Sequence, residues 1–209
     1  MKEPLYVKIC GVTRVSDALF CLEAGASAIG LNFVPTSKRR VDERTAKDIV
    51  GAVRGRVDVV AVVVGLSVDA MRGLRVRTGI TWLQLHGDET PAELAAVLPD
   101  ALKAVRIGGP EDAHAARSYS GERLLADAKT DGELGGTGTS FDWSLVHELV
   151  RERAVILAGG LSPENVADAV RAVRPFGVDV ATGVESAPGV KDPARVREFI
   201  QRARQAAAG

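Results

Sequence analysis

The chain is expected to fold as a single-domain (β/α)8 TIM barrel, an α/β architecture spanning residues 1–209. Three observations carry this. Eight short strand-like runs alternate with eight amphipathic segments from one end of the chain to the other, with no linker-like stretch between them. A glycine stands at or just past the end of most of these runs, at Gly11, Gly65, Gly87, Gly108, Gly159 and Gly183. The first run opens into Gly11-Val12-Thr13-Arg14, which is not the Gly-x-Gly-x-x-Gly turn that a dinucleotide-binding open sheet requires.

The units follow in order. Tyr6 to Cys10 reads as a strand and Val15 to Ala24 as its helix; Ala28 to Val34 and Glu43 to Val53 make the second unit. Asp58 to Val64 with Val68 to Thr78 is the third, and Trp82 to His86 with Pro91 to Leu98 the fourth. Leu102 to Ile107 precedes Glu111 to Tyr119, and Arg123 to Asp127 precedes Trp143 to Arg153. Val155 to Ala158 leads to Pro163 to Val173, and Gly177 to Thr182 to the closing helix Pro193 to Ala207. Thr90-Pro91, Ser162-Pro163 and Asp192-Pro193 each read as an N-cap followed by proline in the first helical turn.

Composition narrows the function. A chain of this length buries roughly 70% of its extended surface, enough for one large core. Lys plus Arg is 27 and Asp plus Glu is 27, so the basic footprint of a nucleic-acid binder is missing, and aromatics at 4% are too few for a base-stacking platform. The longest apolar run, Val59 to Leu66, is far short of a membrane span, and Met1 to Cys10 has no signal-peptide core. Two cysteines in a well-cored domain suggest a reducing compartment, so a cytoplasmic location is expected. The balanced charge favours a monomer over a homodimer.

In a parallel barrel the strand ends share one face, where such folds build their sites. The loops after the seventh and eighth strands, Leu157-Ala158-Gly159-Gly160-Leu161-Ser162 and Ala181-Thr182-Gly183-Val184-Glu185, form the frequent phosphate position, so a small phosphorylated substrate is the expected partner. Strand alternation turns Tyr6, Lys8 and Cys10 to one face, as it does Gly177, Asp179 and Ala181. Trp82, Gln84 and His86 face inward, and Leu125 and Asp127 share a face. Cys10, above Lys8, is a candidate reactive thiol, its thiolate favoured by the ammonium; Asp127 is the complementary acid. Cys21, mid-helix, is expected to be inert. Lys8 and Asp179 should meet as a buried ion pair where the last strand closes on the first. Lys38-Arg39-Arg40 reads either as a solvated patch or as a carboxylate clamp. His86, His114 and His147 lack metal-ligand spacing with the cysteines, so no metal is expected.

These residues resemble phosphoribosylanthranilate isomerases over essentially the whole chain. The resemblance rests on Lys8-Ile9-Cys10-Gly11-Val12-Thr13, Ser37-Lys38-Arg39, Leu83-Gln84-Leu85-His86-Gly87, and Asp127 ahead of Gly135-Gly136-Thr137-Gly138-Thr139-Ser140-Phe141-Asp142-Trp143. It continues through Leu157-Ala158-Gly159-Gly160-Leu161, Gly177-Val178-Asp179-Val180, Gly183-Val184-Glu185 and Pro188-Gly189-Val190-Lys191-Asp192. It implies a cofactor-free Amadori rearrangement in tryptophan biosynthesis, with Cys10 as general base and Asp127 as general acid. It also implies that Arg39 holds the anthranilate carboxylate, that Gly159, Gly160, Gly183 and Val184 hold the phosphate, and that Lys8, His86 and Asp179 support them. Ala181-Thr182 and Asn32 depart from the family pattern. A related histidine-pathway isomerase or dual-substrate enzyme calls for an acidic residue where Cys10 stands. A non-catalytic sugar-phosphate binder would not need both Cys10 and Asp127.

Overall fold

The computed structural model describes residues 4–128 and 143–209. Eight parallel strands, β1 (Tyr6–Cys10), β2 (Ala28–Asn32), β3 (Asp58–Val63), β4 (Trp82–Leu85), β5 (Ala101–Ile107), β6 (Arg123–Ala128), β7 (Ala154–Leu157) and β8 (Gly177–Val180), close into a barrel in sequence order. Closure sets Lys8 against Asp179 in the β1–β8 register. The outer ring is α1 (Val15–Glu23), α2 (Glu43–Val53), α3 (Val68–Thr78), α4 (Pro91–Ala95), α5 (Pro110–Ala115), α6 (His147–Glu152), α7 (Val166–Val173) and α8 (Pro193–Ala208).

Alternation along the strands builds two apolar layers. Val7, Ile9, Ile29, Leu31, Leu83 and Leu85 belong to the cluster shared with the helices, while Leu102, Ala104, Leu125, Ile156 and Ala158 form the interior with Tyr6, Trp82 and Phe176. The expected inward faces of β1, β4 and β6 are therefore those observed. At the floor, the Arg123 guanidinium lies 4.3 Å from the Trp82 ring and 5.2 and 5.3 Å from those of Tyr6 and Phe176, with Asp58 as its carboxylate partner at 3.7 Å.

Several boundaries differ from the sequence expectation, each for a local reason. β2 stops at Asn32 because the Asn32 side chain accepts from the Val34 amide at 2.8 Å and turns the chain. α4 ends at Ala95, short of Leu98, where the following Pro99 disfavours helical backbone. Thr90 and Glu93 form a full capping box, and Asp192 caps α8. α5 starts one residue early on Pro110 and tightens into a 3-10 turn at Ala116–Ser118; Trp143–Val146 is likewise a 3-10 turn before α6. Ser162 and Pro163 do not open α7. The Ser162 amide donates to the Asn165 side chain at 2.9 Å in a preceding turn, and the helix begins at Val166. A short hairpin, β9 (Glu185–Ala187) and β10 (Val190–Lys191), was not anticipated. It turns through Gly189, whose φ of +79° suits glycine.

Candidate active site

Cys10 ends β1 at the mouth, partly exposed, and Lys8 lies one inward position below it, 1% exposed. The Lys8 ammonium donates to Asp179 Oδ1 at 2.9 Å, so the expected buried pair is present. Neighbouring Gly30 keeps room for both: a Cβ there would lie 2.7 Å from Cys10 Sγ and 3.2 Å from Lys8 Cε. Burial works against the Lys8 charge, but Asp179 and Cys10 more than offset it, and its pKa stays above the usual lysine value. At Cys10 the balance corrects the expectation of a favoured thiolate. Burial pushes the thiol pKa up; Lys8 opposes this without overcoming it, and Asp179 adds to the rise. Cys21 is fully buried, with its thiol pushed up to about 12 by burial.

Across the mouth, Asp127 stands on β6 with its Oδ2 3.4 Å from His86 Nε2. The Gln84 amide, one inward position below His86, faces His86 Nδ1 at 2.8 Å. Nε2 is thus the ring nitrogen that faces the Asp127 carboxyl group. Arg106, paired with Asp127 in the β5–β6 register and on the same face as Leu102 and Ala104, is exposed.

Of the basic run, only Arg39 turns inward; Lys38 and Arg40 are exposed. Asn32 shapes this loop from both sides, since its carbonyl also accepts from the Val41 amide at 2.9 Å. The Arg39 stem crosses Gly11, where a Cβ would lie 2.5 Å from Arg39 Cδ. Its Nε and Nη2 donate to the two oxygens of Glu185 at 2.8 and 2.6 Å, and Nη2 also to Thr182 Oγ1 at 3.3 Å. The fork expected to face a ligand is thus turned to Glu185, and Nη1 donates to no acceptor among the described residues.

The two glycine loops interlock. Gly159 and Gly160 have φ of +87° and +65°, and their N–H groups donate to no acceptor among the described residues. A Cβ on Gly183 would run into the Leu161 carbonyl, so only glycine permits this approach. Asn165 Nδ2 holds the Gly160 carbonyl at 3.0 Å. The Val184 amide, another of the expected phosphate donors, instead turns toward the Ala181 carbonyl at 3.5 Å.

Residues 7–202 match the model of the family described as N-(5'phosphoribosyl)anthranilate (PRA) isomerase. A relative of that name from Myxococcus xanthus is 47% identical over 202 residues, 95% of each chain. The crystal structure of the Thermotoga maritima phosphoribosyl anthranilate isomerase superposes with a TM-score of 0.88 at 36% identity, covering 96% of this chain and 99% of that one. A phosphoribosyl anthranilate isomerase in complex with reduced 1-(o-carboxyphenylamino)-1-deoxyribulose 5-phosphate gives a TM-score of 0.85 at 35% identity, with coverages of 96% and 99%. The chain belongs to the phosphoribosylanthranilate isomerase family.

Against the family pattern both departures have local explanations. The Thr182 hydroxyl accepts from Arg39 Nη2, and Asn32 turns the loop that carries Arg39. The family string Gly135 to Asp142 lies outside the described residues. Sequence reasoning passed over two clusters. Glu185 pairs with buried Lys191 at 2.9 Å through the β9–β10 hairpin. Lys103 and Glu89, both nearly inaccessible, pair at 3.2 Å on the outer side of β5, where Glu89 also accepts from the Gly65 and Gly87 amides at 2.8 Å. The signal for Lys103 was the one that exposed Lys8, a charge inside an apolar strand.

Proposed function

We propose that the chain converts N-(5-phosphoribosyl)anthranilate to 1-(2-carboxyphenylamino)-1-deoxyribulose 5-phosphate, the aldose–ketose isomerisation of its family in tryptophan biosynthesis. The observation that carries the residue roles is the placement of Cys10 and Asp127 at the ends of β1 and β6, on the inner side of one barrel mouth. The Asp127 carboxyl gives its proton to the furanose oxygen as the C1–O bond breaks and the anilino nitrogen forms the C1=N bond. The Cys10 thiolate then takes the C2 proton, and the C2–H electrons become the C1=C2 bond of a neutral enolamine. Tautomerisation adds a proton at C1 and removes one from the C2 hydroxyl, giving the aminoketose and returning both groups to their starting states. Every step is a proton transfer or an internal bond shift, so the scheme uses no cofactor.

Arg39 Nη1 meets the anthranilate carboxylate, and the loops at Gly159, Gly160 and Gly183 receive the phosphate. His86 orients Asp127, and the Lys8–Asp179 pair sets the field at Cys10. A base thiol must stay reduced, which supports a reducing, cytoplasmic setting. Val64 and Val76 are the only large apolar side chains exposed among the described residues, which supports a monomer, although the Thermotoga maritima relative is described as dimeric. The test follows loss of substrate fluorescence with turnover. Cys10→Ala and Asp127→Asn should each lower kcat by about a hundredfold or more while ligand affinity changes far less. Near wild-type turnover in either variant, with chemistry rate-limiting, would overturn its role.

A further inference from the structure

The Arg39 guanidinium is held by a preformed anion before any ligand arrives, and that anion is itself held. Glu185 has a side chain 4% exposed; its Oε1 accepts from Arg39 Nε at 2.8 Å, Lys191 Nζ at 2.9 Å and the Gly189 amide at 3.3 Å. Its Oε2 accepts from Arg39 Nη2 at 2.6 Å. Lys191, 1% exposed at the side chain, is fixed in turn by the Ala181 carbonyl at 3.2 Å. The hairpin is tied to the first barrel unit, because the Lys191 amide donates to Asp17 at 3.1 Å and Thr13 Oγ1 to the Gly189 carbonyl at 2.6 Å. Burial raises the Glu185 pKa, but the bonds from Arg39 and Lys191 more than offset it, so the carboxylate stays ionised.

We propose that Glu185, backed by Lys191, is a positioning residue for Arg39 and thereby sets the specificity of the site for a carboxylate-bearing aminosugar phosphate. The geometry allows one outcome. Of the five guanidinium N–H groups, Glu185 takes one from Nε and one from Nη2, and Thr182 takes the other on Nη2. The two on Nη1 remain, fixed in direction by the bidentate bond behind them.

This proposal rests on the reading that Arg39 receives the carboxylate, and its test separates the two. The probes are reduced 1-(2-carboxyphenylamino)-1-deoxyribulose 5-phosphate and the same compound without the carboxyl group, each titrated calorimetrically into the folded protein. Glu185→Gln removes a negative charge near the ligand, so electrostatics alone would tighten binding of the carboxylate probe. Positioning requires the reverse: that probe should weaken on the order of tenfold, the scale of one oriented charge-assisted hydrogen bond. The probe without the carboxyl group should change little, and in turnover the loss should fall on KM more than on kcat. Tighter binding of the carboxylate probe, or equal weakening of both probes, would overturn the proposal. Glu185→Asp keeps the charge but shortens the reach, and carries the same test should the glutamine variant fail to fold; an unchanged affinity ratio there would also overturn it. Arg39→Met tests the underlying reading. If it fails to discriminate between the probes, that reading falls; if it discriminates and the Glu185 variants do not, the positioning proposal alone falls.

Discussion

Replacing Lys8 by Met should both destabilise the barrel and make the Cys10 thiolate scarcer, and the two effects can be pulled apart. Lys8 Nζ and Asp179 Oδ1 are 2.9 Å apart, and the residues are 1% and 9% exposed. At an effective dielectric of about 20 their attraction is about 6 kcal/mol, comparable to the several kcal/mol each ion loses on leaving water. The intact pair is therefore close to neutral for stability, while removing one member leaves the other charge stranded. Lys8→Met should cost about 3 to 5 kcal/mol, and Lys8→Met with Asp179→Leu should recover most of that. For a domain of this size, the single change corresponds to a fall in Tm of roughly 6 to 20 °C.

The thiol answers differently. Lys8 lowers the Cys10 pKa and Asp179 raises it, so Lys8→Met removes the favourable charge and keeps the adverse one. The ascending limb of kcat/KM against pH, which follows the thiolate, should move to higher pH. In the double variant the adverse charge goes too, so the limb should return only part of the way. Urea titrations monitored by circular dichroism give the stabilities, and thiolate ultraviolet absorbance gives the Cys10 titration directly. The reasoning fails if the single variant leaves the thiol titration unmoved, or if the double variant is no more stable than the single one.

Arg39→Lys should cost roughly 1 to 3 kcal/mol in binding the carboxylate probe, because an ammonium cannot hold Glu185 with two bonds and still present a nitrogen to the ligand; an equal loss with the probe lacking the carboxyl group would refute the assignment. Glu89 has a pKa held below its ordinary value of 4.5, where bonds from the Gly65 amide and Lys103 outweigh the burial that would raise it. The unfolded chain therefore takes up that proton first as pH falls, so the stabilisation is present above pH 4.5 and lost as pH falls through the depressed value. Urea midpoints across this range should fall less steeply for Glu89→Gln than for the unaltered protein, and parallel curves would contradict it. Arg123→Met should cost about 2 kcal/mol through the lost ring contacts while leaving kcat unchanged, since Arg123 sits at the floor, away from the mouth; denaturant titration and steady-state assay together check both halves.

The barrel was legible because parallel strands buried on both faces read as β-branched runs, and strand parity then placed Lys8, Cys10, Asp127 and Asp179 on the inner wall. Parity works on single residues and needs no partner. It was less informative where a side chain's role depends on what arrives from elsewhere. Glu185 sits on a three-residue strand whose two-residue partner gives no periodic signal, so neither the hairpin nor its ion pair with Lys191 was readable. Arg39 was readable as a candidate clamp, but its bidentate bond to Glu185 was not, because Glu185 is distant in sequence. Asn32 looked like a flaw in an apolar strand, whereas its side chain ends that strand and shapes the Arg39 loop.

The seam that closes the barrel and the thiol at its mouth are parts of one arrangement. The β1–β8 register sets Lys8 beside Asp179, and the pleat then places Cys10 at the next inward position, against a glycine that leaves its sulfur room. Burial raises the thiol pKa, so a thiolate formed there is scarcer than an exposed one but a stronger base toward a carbon acid, since proton-transfer rates follow basicity. Lys8 limits how scarce the thiolate becomes. Asp179, which the ammonium needs in order to be buried at all, keeps that correction partial. An isolated lysine would have favoured the thiolate more and could not have been buried here; the pair is the arrangement that leaves Cys10 both ionisable and strongly basic.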